Sequence, residues 1–369
     1  MAKKKWLMLS LALIIALVTA LAGCSNNKSS DSNSGSNTGG TTTSGTSQNS
    51  QTDSSSGSGD ASGDPKYGGT LKIAIAGEPP TLDQHVSTAY LVSQIGWHIF
   101  EGLFTLDANY RPTPMLAKDY SYDDATKTYT IHLREEVTFH NGKPLTADDV
   151  IASLERWGVK ANYGRILFEN VKELKKTDDH TIEFVLNEPS PILPILLAYP
   201  NQQSAIYPKE VVEAAGDGEI TEFIGTGPFR FVEHKPDQYI KLARYEDYKP
   251  LDKWADGMGG SRIAYLDELM FIPTPEVSVR LDGVQTGQFD FADQINSDMY
   301  ETVKANSELQ PLIIKPYWWT QAVFNKKQGV FADKRMRQAV ALALDMEPIM
   351  QAAFASDEFY RLDPSIMFQ

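Results

Sequence analysis

The sequence predicts a mixed α/β fold, because segments with the period of a strand alternate with segments that have the period of a helix. Leu71, Ile73 and Ile75 alternate with smaller or polar residues, as the side chains of a half-buried strand do. Residues 89–100 carry apolar side chains at helical spacing instead. This interleaving continues through residues 65–369, which are numerous enough for about two domains.

Predicted turns separate the elements in the first half of residues 65–369. Residues 122–127 precede a segment that alternates over 129–133, and they predict a hairpin turn. Asn141-Gly142 predicts a second turn, because glycine readily adopts a positive φ. Thr146 is expected to cap a helix with two aspartates in its first turn, where negative charge is favoured.

The second half continues the alternation. The predicted strand-like segments are residues 181–186, 239–244, 263–272, 289–291 and the aromatic-rich stretch 317–324. A helix that begins at Glu276 should end near Gly287. Asp333 should cap a further helix that carries Met336, Val340 and Leu344 on one face.

The charge and the cysteine content exclude several classes of protein. The chain has 369 residues, with 48 acidic and 34 basic side chains and a net charge of −14. An acidic protein is a poor nucleic-acid binder, because phosphate contacts require clustered lysine and arginine. The single cysteine excludes a disulfide framework and a cysteine-rich zinc site.

The sequence has no motif for catalysis or for cofactor binding. It contains no Gly-x-Ser-x-Gly elbow, no phosphate-binding loop and no His-Glu-x-x-His pair. His98 and Glu101 have the spacing to share a helix face, and we interpret them as an ordinary half-buried pair rather than as metal ligands. We therefore expect no enzyme activity, no metal and no cofactor.

The first 64 residues predict an export signal, a lipid anchor and a tether. Residues 1–23 begin with a basic segment and continue with an apolar one that is too short to span a bilayer, which is typical of a signal peptide. This segment leads into Leu-Ala-Gly-Cys24, which resembles a bacterial lipobox, in which the thiol is lipidated; the alternative is an ordinary signal peptide with a chance cysteine. Residues 24–64 are then a lipidated cysteine and a disordered tether of mostly Ser, Thr, Gly, Asn and Gln.

Four stretches, in this order, resemble the extracellular solute-binding proteins of peptide/nickel-type ABC importers (family 5). They are residues 68–83 with 99–103, residues 129–150, the Gly-Thr-Gly-Pro-Phe motif at 225–229, and Asn325 with 331–339. Each stretch alone is weakly specific, but their joint order across residues 66–355 is typical of this family. A lipobox is what Gram-positive members use in place of a free periplasm.

The resemblance implies a bilobal fold like that of periplasmic binding proteins, in which two lobes close on a ligand about a hinge. The first lobe would span residues 65–273, with an inserted subdomain at about 112–206. Residues 274–369 would form a partial second lobe. Family members continue well beyond the helix that Asp333 caps, so we expect a C-terminally truncated chain.

The resemblance also places candidate ligand contacts, by matching positions and by chemistry. They are Thr88, Tyr90, Tyr163, Arg165, Asn201, Gln202, Tyr317, Trp318 and Trp319. Adjacent residues on a strand point to opposite faces, so at most one of the two tryptophans should reach the ligand. The alternative for each residue is packing in a core.

The function implied by the resemblance is that of a substrate-binding lipoprotein of an ABC importer. It would capture a peptide-like solute and deliver it to a permease and ATPase complex. It would act as a monomer, anchored through Cys24 to the extracellular face of the membrane of a Gram-positive bacterium. Three alternatives stay open: a peptide-sensing lipoprotein on the same scaffold, a receptor for a nickel chelate or another small solute, and a lipid-anchored hydrolase.

Overall fold

The structure, a computed structural model, describes residues 65–314 and 322–362. The strands are β1 (Thr70–Ile75), β2 (Phe104–Leu106), β3 (Pro112–Pro114), β4 (Ala117–Asp123), β5 (Thr128–Leu133), β6 (Val171–Asp178), β7 (Thr181–Leu186), β8 (Phe229–Lys235), β9 (Tyr239–Arg244), β10 (Glu268–Pro273) and β11 (Phe291–Ala292). The helices are α1 (Tyr90–Ile99), α2 (Ala147–Lys160), α3 (Asn162–Phe168), α4 (Leu193–Ala198), α5 (Lys209–Ala215), α6 (Val277–Gln285), α7 (Tyr300–Lys304), α8 (Lys334–Ala343) and α9 (Met346–Phe354). None of the helices within the described ranges has the length and apolar character needed to cross a bilayer.

The first sheet has the strand order β11-β1-β10-β9-β8. β1 lies between β10 and β11 and is parallel to both, with Ile73 opposite Phe271 on one side and opposite Phe291 on the other. The alternation seen in the sequence buries Ile73 and Ile75 beneath this sheet. The buried residues Ile95 and Ile99 belong to the same hydrophobic cluster, so α1 packs on the first sheet.

The second sheet, in the order β4-β5-β7-β6, is antiparallel and lies in the chain between β1 and β8. Ile131 of β5 and Phe184 of β7 are fully buried in a separate hydrophobic cluster. Trp157 of α2 is 1% exposed and packs in this second cluster. The chain therefore builds two hydrophobic cores from interleaved segments.

The Gly-Thr-Gly-Pro-Phe motif connects these parts through close backbone contacts. A Cβ atom on Gly225 would lie 2.0 Å from the carbonyl oxygen of Ile99, so only glycine fits there. The N–H of Gly227 donates to the same carbonyl at 2.9 Å. His140, next to the predicted Asn141-Gly142 turn, bonds Gly225 and Gly227 through its ring nitrogens.

Several predicted elements agree with the structure. The predicted first strand and first helix are β1 and α1, and the 129–133 segment is β5. Thr146 and Asp149 form a capping box at the start of α2, and Gly142 has a φ of +82°. Asp333 caps α8 by accepting a hydrogen bond from the N–H of Arg335.

Other predictions are wrong in detail. The strand expected over 263–272 begins only at Glu268, and residues 322–324 form no strand, while 317–321 lie outside the described residues. His98 and Glu101 share no helix face, because α1 ends at Ile99. Glu101 is instead buried and accepts a hydrogen bond from the hydroxyl of Thr226 at 2.9 Å.

The first sheet continues past the predicted lobe boundary at Pro273, and that boundary stays a prediction. β11 follows this boundary, yet it pairs with β1, and the N–H of Asp293 donates to the carbonyl oxygen of Ala74 at 3.0 Å. A boundary at Pro273 would separate β11 from the sheet that it completes. The sheet extends to Ala292, and the bounds of the inserted subdomain and of the second lobe stay predictions.

Candidate functional site

The candidate site is built on one face of α1, which follows the loop from the carboxyl end of β1. Tyr90, Gln94 and Trp97 lie four and three residues apart, so they share this face, while Ile95 and Ile99 are buried in the core. The rings of Tyr90 and Trp97 meet edge to face with their centroids 6.3 Å apart. The α1 face (Tyr90, Gln94 and Trp97) is therefore polar and aromatic where the opposite face is apolar.

The segment that precedes the buried residues 202–208 lies along one side of the α1 face. The indole nitrogen of Trp97 donates to the carbonyl oxygen of Pro200 at 3.2 Å. The side-chain amide of Asn201 donates to the carbonyl oxygen of Thr88 at 2.8 Å. These two bonds, with the contact between the rings of Tyr90 and Trp97, bring together three of the predicted contacts, Thr88, Tyr90 and Asn201.

Tyr163 extends this group. Its ring packs on that of Tyr199, with the centroids 4.4 Å apart. Burial, and then the neighbouring Tyr199 hydroxyl, raise the pKa of Tyr163 to about 12, so the phenol is neutral at physiological pH. Tyr163 therefore offers a hydroxyl and an aromatic surface beside residue 200.

Gln202, another predicted contact, is buried beside this group. It is 5% exposed, its side-chain oxygen accepts from the N–H of Asn162, and its side-chain nitrogen donates to the carbonyl oxygen of His85. Its φ of +48° is a strained conformation for a residue with a side chain, held in place by these bonds. These bonds tie Gln202 to the segments at residues 85 and 162, and its role as a ligand contact stays a prediction.

Arg165 is also committed elsewhere. Its guanidinium donates to the carbonyl oxygens of Val159 and Lys160, at 3.0 and 3.1 Å, and to the side chain of Asn162. These carbonyls belong to the last turn of α2, where a cation is favoured because the helix dipole is negative there. Arg165 closes the end of this helix, and its role as a ligand contact stays a prediction.

The carboxyl ends of the parallel strands lie on the other side of the α1 face. Asp293 directly follows β11, and its carboxylate accepts a hydrogen bond from the side-chain nitrogen of Gln94 at 3.1 Å. Burial raises the pKa of Asp293, against the lowering effect of its hydrogen bonds and of Arg280. In open α/β sheets, ligands bind outside the carboxyl ends of the strands. Asp293 therefore lies at the edge where a ligand is expected.

Gln94, Trp97 and Asp293 were not predicted from the sequence as site residues. The helical spacing of Gln94 and Trp97 from Tyr90 is a signal that could have identified the first two. Nothing in the sequence places Asp293 beside them, because residues 94 and 293 are 199 positions apart. Only the pairing of β11 with β1 brings this carboxylate to α1.

The remaining predicted residues cannot be placed. Tyr317, Trp318 and Trp319 lie outside the described residues, as does Cys24. In the part of the chain that the structure describes, no cluster of histidine, cysteine or carboxylate side chains could hold a metal ion. Two surface depressions, of about 570 and 530 Å³, are lined by none of the α1-face residues.

Comparison with known proteins identifies the family. Residues 111–360 match the family model of the bacterial extracellular solute-binding proteins, family 5 (middle region). The chain belongs to this family. The family is one of transport components that bind solutes, and the resemblance noted in the sequence is confirmed.

Individual relatives are similar over most of this chain but over only half of their own length. A probable peptide ABC transporter periplasmic-binding protein of Sinorhizobium fredii, y4tO, is 28% identical over 286 residues, which cover 76% of this chain and 53% of the relative. The oligopeptide-binding protein AppA of Bacillus subtilis is 28% identical over 304 residues, which cover 79% and 53%. The chain thus spans about half the length of the curated relatives it matches.

A solved structure supports the fold. The structure of AppA from Bacillus subtilis in complex with a nonapeptide superposes with a TM-score of 0.62 at 25% identity, covering 78% of this chain and 56% of that one. The mixed α/β class and the likeness to bilobal periplasmic binding proteins are confirmed.

Proposed function

We propose that this protein captures a peptide-like solute outside the cell and delivers it to the membrane permease and ATPase of an ABC importer. The observation that carries the proposal is the α1 face, whose polar and aromatic side chains lie beside Asp293 at the carboxyl ends of parallel strands. This edge of the sheet is where α/β proteins hold their ligands. The names of the peptide-binding relatives support the same class of solute.

The chemistry of the site suits an extended peptide. Such a ligand presents main-chain N–H and C=O groups, and the protein satisfies them much as a neighbouring strand would, while side-chain pockets stay permissive. Asp293 and Gln94 offer acceptors to N–H groups. Tyr90 and Trp97 offer aromatic surface to apolar side chains.

The proposed contacts from this chain are therefore a revised set. The revised set keeps Thr88, Tyr90, Tyr163 and Asn201. It adds Gln94, Trp97 and Asp293 and omits Arg165 and Gln202. Tyr317, Trp318 and Trp319 remain proposed from the resemblance alone. The role of all these residues is binding, with no chemical step.

The proposal includes a membrane anchor. Cys24 would carry the lipid, and residues 25–64 would let the monomeric folded part move near the extracellular face of a Gram-positive membrane. Two acyl chains give stable anchoring where one chain gives only marginal binding. An anchor of this kind keeps a solute-binding protein close to a permease.

The experiment that tests this function is titration of the full chain with synthetic peptides of two to nine residues, followed by native mass spectrometry and calorimetry. We expect saturable binding of peptides, and weaker binding by Tyr90→Ala, because this variant removes one aromatic ring from the α1 face. Trp254→Ala is the matched control, since Trp254 is 96% exposed and lies outside the site. If no peptide in the series binds, the proposed function is wrong.

A further inference from the structure

Trp254 is an exposed tryptophan on a loop whose backbone is tightly closed. Its side chain is 96% exposed, in the connection between β9 and β10. At the base of residues 249–261 (the Trp254 loop), the N–H of Ser261 donates to the carbonyl oxygen of Lys253 at 2.8 Å. A Cβ atom on Gly260 would lie 2.0 Å from the carbonyl oxygen of Trp254. The indole therefore projects into water from a backbone that is held in place, although tryptophan side chains are usually well buried.

The Trp254 loop is bonded to a second loop, the turn between β2 and β3 (residues 107–111). The carboxylate of Asp256 accepts a hydrogen bond from the N–H of Ala108 at 3.0 Å. The N–H of Met258 donates to the carbonyl oxygen of Leu106 at 2.9 Å. The two loops therefore form one surface.

Each loop carries an exposed aromatic ring beside a basic side chain. Lys253 directly precedes Trp254 in the first loop. In the second, Tyr110 is 59% exposed and Arg111 directly follows it. Tyrosine and tryptophan are enriched where a protein meets the boundary between lipid and water, because each ring has an apolar body and a polar end.

Both loops are electrically neutral, although the protein is acidic. Residues 249–261 contain two lysines and two aspartates, and residues 107–111 contain one aspartate and one arginine. The whole chain has a net charge of −14. Because like charges repel, contact between two copies of this chain is unfavourable, whereas neutral loops can approach a lipid surface without bringing a net charge to it.

The Trp254 loop lies near the point where the chain enters the folded part. The ring of Tyr67 packs on that of Tyr265, with the centroids 5.3 Å apart, and the N–H of Gly68 donates to the carbonyl oxygen of Tyr265 at 2.8 Å. Tyr265 follows Ser261, at the base of the loop, by four residues, which span at most about 14 Å. The proposed tether from Cys24 joins the folded part just before Tyr67, and so it enters close to the Trp254 loop.

We propose that the Trp254 loop and Tyr110 form a membrane-contact surface, whose aromatic rings lie at the headgroup level of the lipid bilayer. The rings leave water there, while Lys253 and Arg111 reach the lipid phosphates. Two rings bind weakly, but a tether supplies an effective concentration of about a millimolar, at which a weak contact forms. The inference rests on the lipid anchor of the proposed function, and it gives the anchored protein one preferred orientation on the membrane.

The test uses the natural protein, purified from host membranes and reconstituted in vesicles of phosphatidylethanolamine and phosphatidylglycerol with ordinary or brominated acyl chains. Bromine quenches tryptophan fluorescence only at short range. Of the six tryptophans, five follow Cys24. We expect brominated lipid to reduce the fluorescence by roughly one fifth, the share of Trp254. Trp254→Phe should lose this reduction, and high salt should leave it unchanged, because the two loops are neutral.

A second variant and a control locate the contact. Tyr110→Asn should weaken the quenching, and it should fold, because asparagine suits the φ of +59° at this position. The control is Val159→Trp in the Trp254→Phe protein, since Val159 of α2 is 66% exposed, and this tryptophan should not be quenched.

Three results would overturn the inference and leave the anchor intact. The first is equal quenching of the natural protein and Trp254→Phe, and the second is equal quenching of a tryptophan at position 159. The third is sedimentation of the natural protein as a dimer that Trp254→Phe abolishes, because the surface would then bind a second copy.

Peptide titration separates this inference from the proposed function. Trp254→Ala should bind peptides as the natural protein does, and a loss of affinity would overturn the inference, because the loop would then belong to the solute site. If Trp254 is quenched but no peptide binds, the membrane-contact surface is supported and the proposed solute is wrong. If the natural protein is absent from the membrane fraction, the anchor and this inference are both overturned.

Discussion

Arg156 and Asp83 form an ion pair in which both side chains are almost completely buried, at 4% and 0% exposure. The two guanidinium nitrogens reach the two carboxylate oxygens at 3.1 and 2.6 Å. Asp83 follows β1 and lies beside the first hydrophobic cluster, whereas Arg156 is on α2 of the second. The pair therefore joins the two cores of the protein.

Breaking this pair from one side should be strongly destabilising. We expect Asp83→Asn to lower the free energy of unfolding by about 3–5 kcal/mol, because Arg156 would stay buried without its partner. Urea denaturation followed by circular dichroism measures this change. The control is Glu188→Gln, which removes an exposed pair with Lys127 and should cost about 1 kcal/mol or less. A similar small cost for both variants would contradict the role given to the buried pair.

Acid should destabilise the protein through buried histidines. Burial lowers the pKa of His85, His98 and His140 to about 4. Between the usual pKa of 6.5 and about 4, the unfolded chain binds protons that the folded protein does not, so stability falls as the pH falls through this window. Burial raises the pKa of Asp83, but its bonds with Arg156 outweigh this effect and hold the pKa below the usual 3.8. The ionised carboxylate therefore stabilises the folded protein above pH 3.8, and this stabilisation is lost as the pH falls through the lowered pKa.

His140 gives this pH dependence a specific test. Its Nδ1 accepts the N–H of Gly225 and its Nε2 donates to the carbonyl oxygen of Gly227, so both nitrogens are satisfied in the neutral ring. We expect His140→Gln to reduce the slope of unfolding free energy between pH 4.5 and 6.5 by up to about 1.4 kcal/mol per pH unit. Urea denaturation at four pH values measures the slope. An unchanged slope would show that His140 does not titrate in this window.

The Gly-Thr-Gly-Pro-Phe motif should tolerate no side chain at Gly225. We expect Gly225→Ala to lower the free energy of unfolding by at least about 2 kcal/mol, because the new methyl group would overlap the carbonyl of Ile99. Gly77→Ala is the control, since its nearest neighbour lies at an ordinary 3.7 Å from the added carbon, and it should cost about 0.5 kcal/mol or less. Equal unfolding midpoints for the two variants would contradict this reading.

The indole N–H of Trp97 should support peptide binding, because it holds residues 199–201 in position. Trp97→Phe keeps an aromatic ring but loses the bond to Pro200, and we expect peptide affinity to fall about 2- to 10-fold. Calorimetric titration measures this loss, with Trp254→Phe as the exposed control. Full affinity in Trp97→Phe would show that this bond does not organise the site.

The proposed lipid anchor depends on Cys24. We expect Cys24→Ala to move the protein from the membrane fraction to the medium, because no other cysteine is present to carry the lipid. Cell fractionation with immunoblotting measures the distribution. Membrane retention equal to that of the natural protein would refute the lipobox interpretation.

The sequence predicts those parts of the fold that depend on neighbours along the chain. The alternation in β1, the spacing in α1 and the capping box at Thr146 are local, and each appears in the structure. β3 was missed because Pro112 and Pro114 argue against a strand, although a short two-stranded ladder accommodates them. β6 was missed because its sequence is mostly polar and exposed.

The site could be predicted only in part for the same reason. Thr88 and Tyr90 follow a recognisable strand and loop, so the resemblance to the family predicted them. Asp293 reaches α1 through long-range strand pairing, which no local pattern encodes. The sequence could not show that Gln202 and Arg165 also bond the backbone around them, because a side chain that supports a loop or closes a helix has the same chemistry as one that binds a ligand.

The position of β1 between β10 and β11 has a consequence for how the protein is made. Thr70 bonds Glu268, which lies 198 residues later, so β1 leaves the ribosome well before either neighbouring strand has been synthesised. At typical translation rates this interval lasts roughly 10 to 40 s. During that time Ile73 and Ile75 have neither neighbouring strand of the first sheet to pair with. The first sheet can close only after residue 292 has emerged.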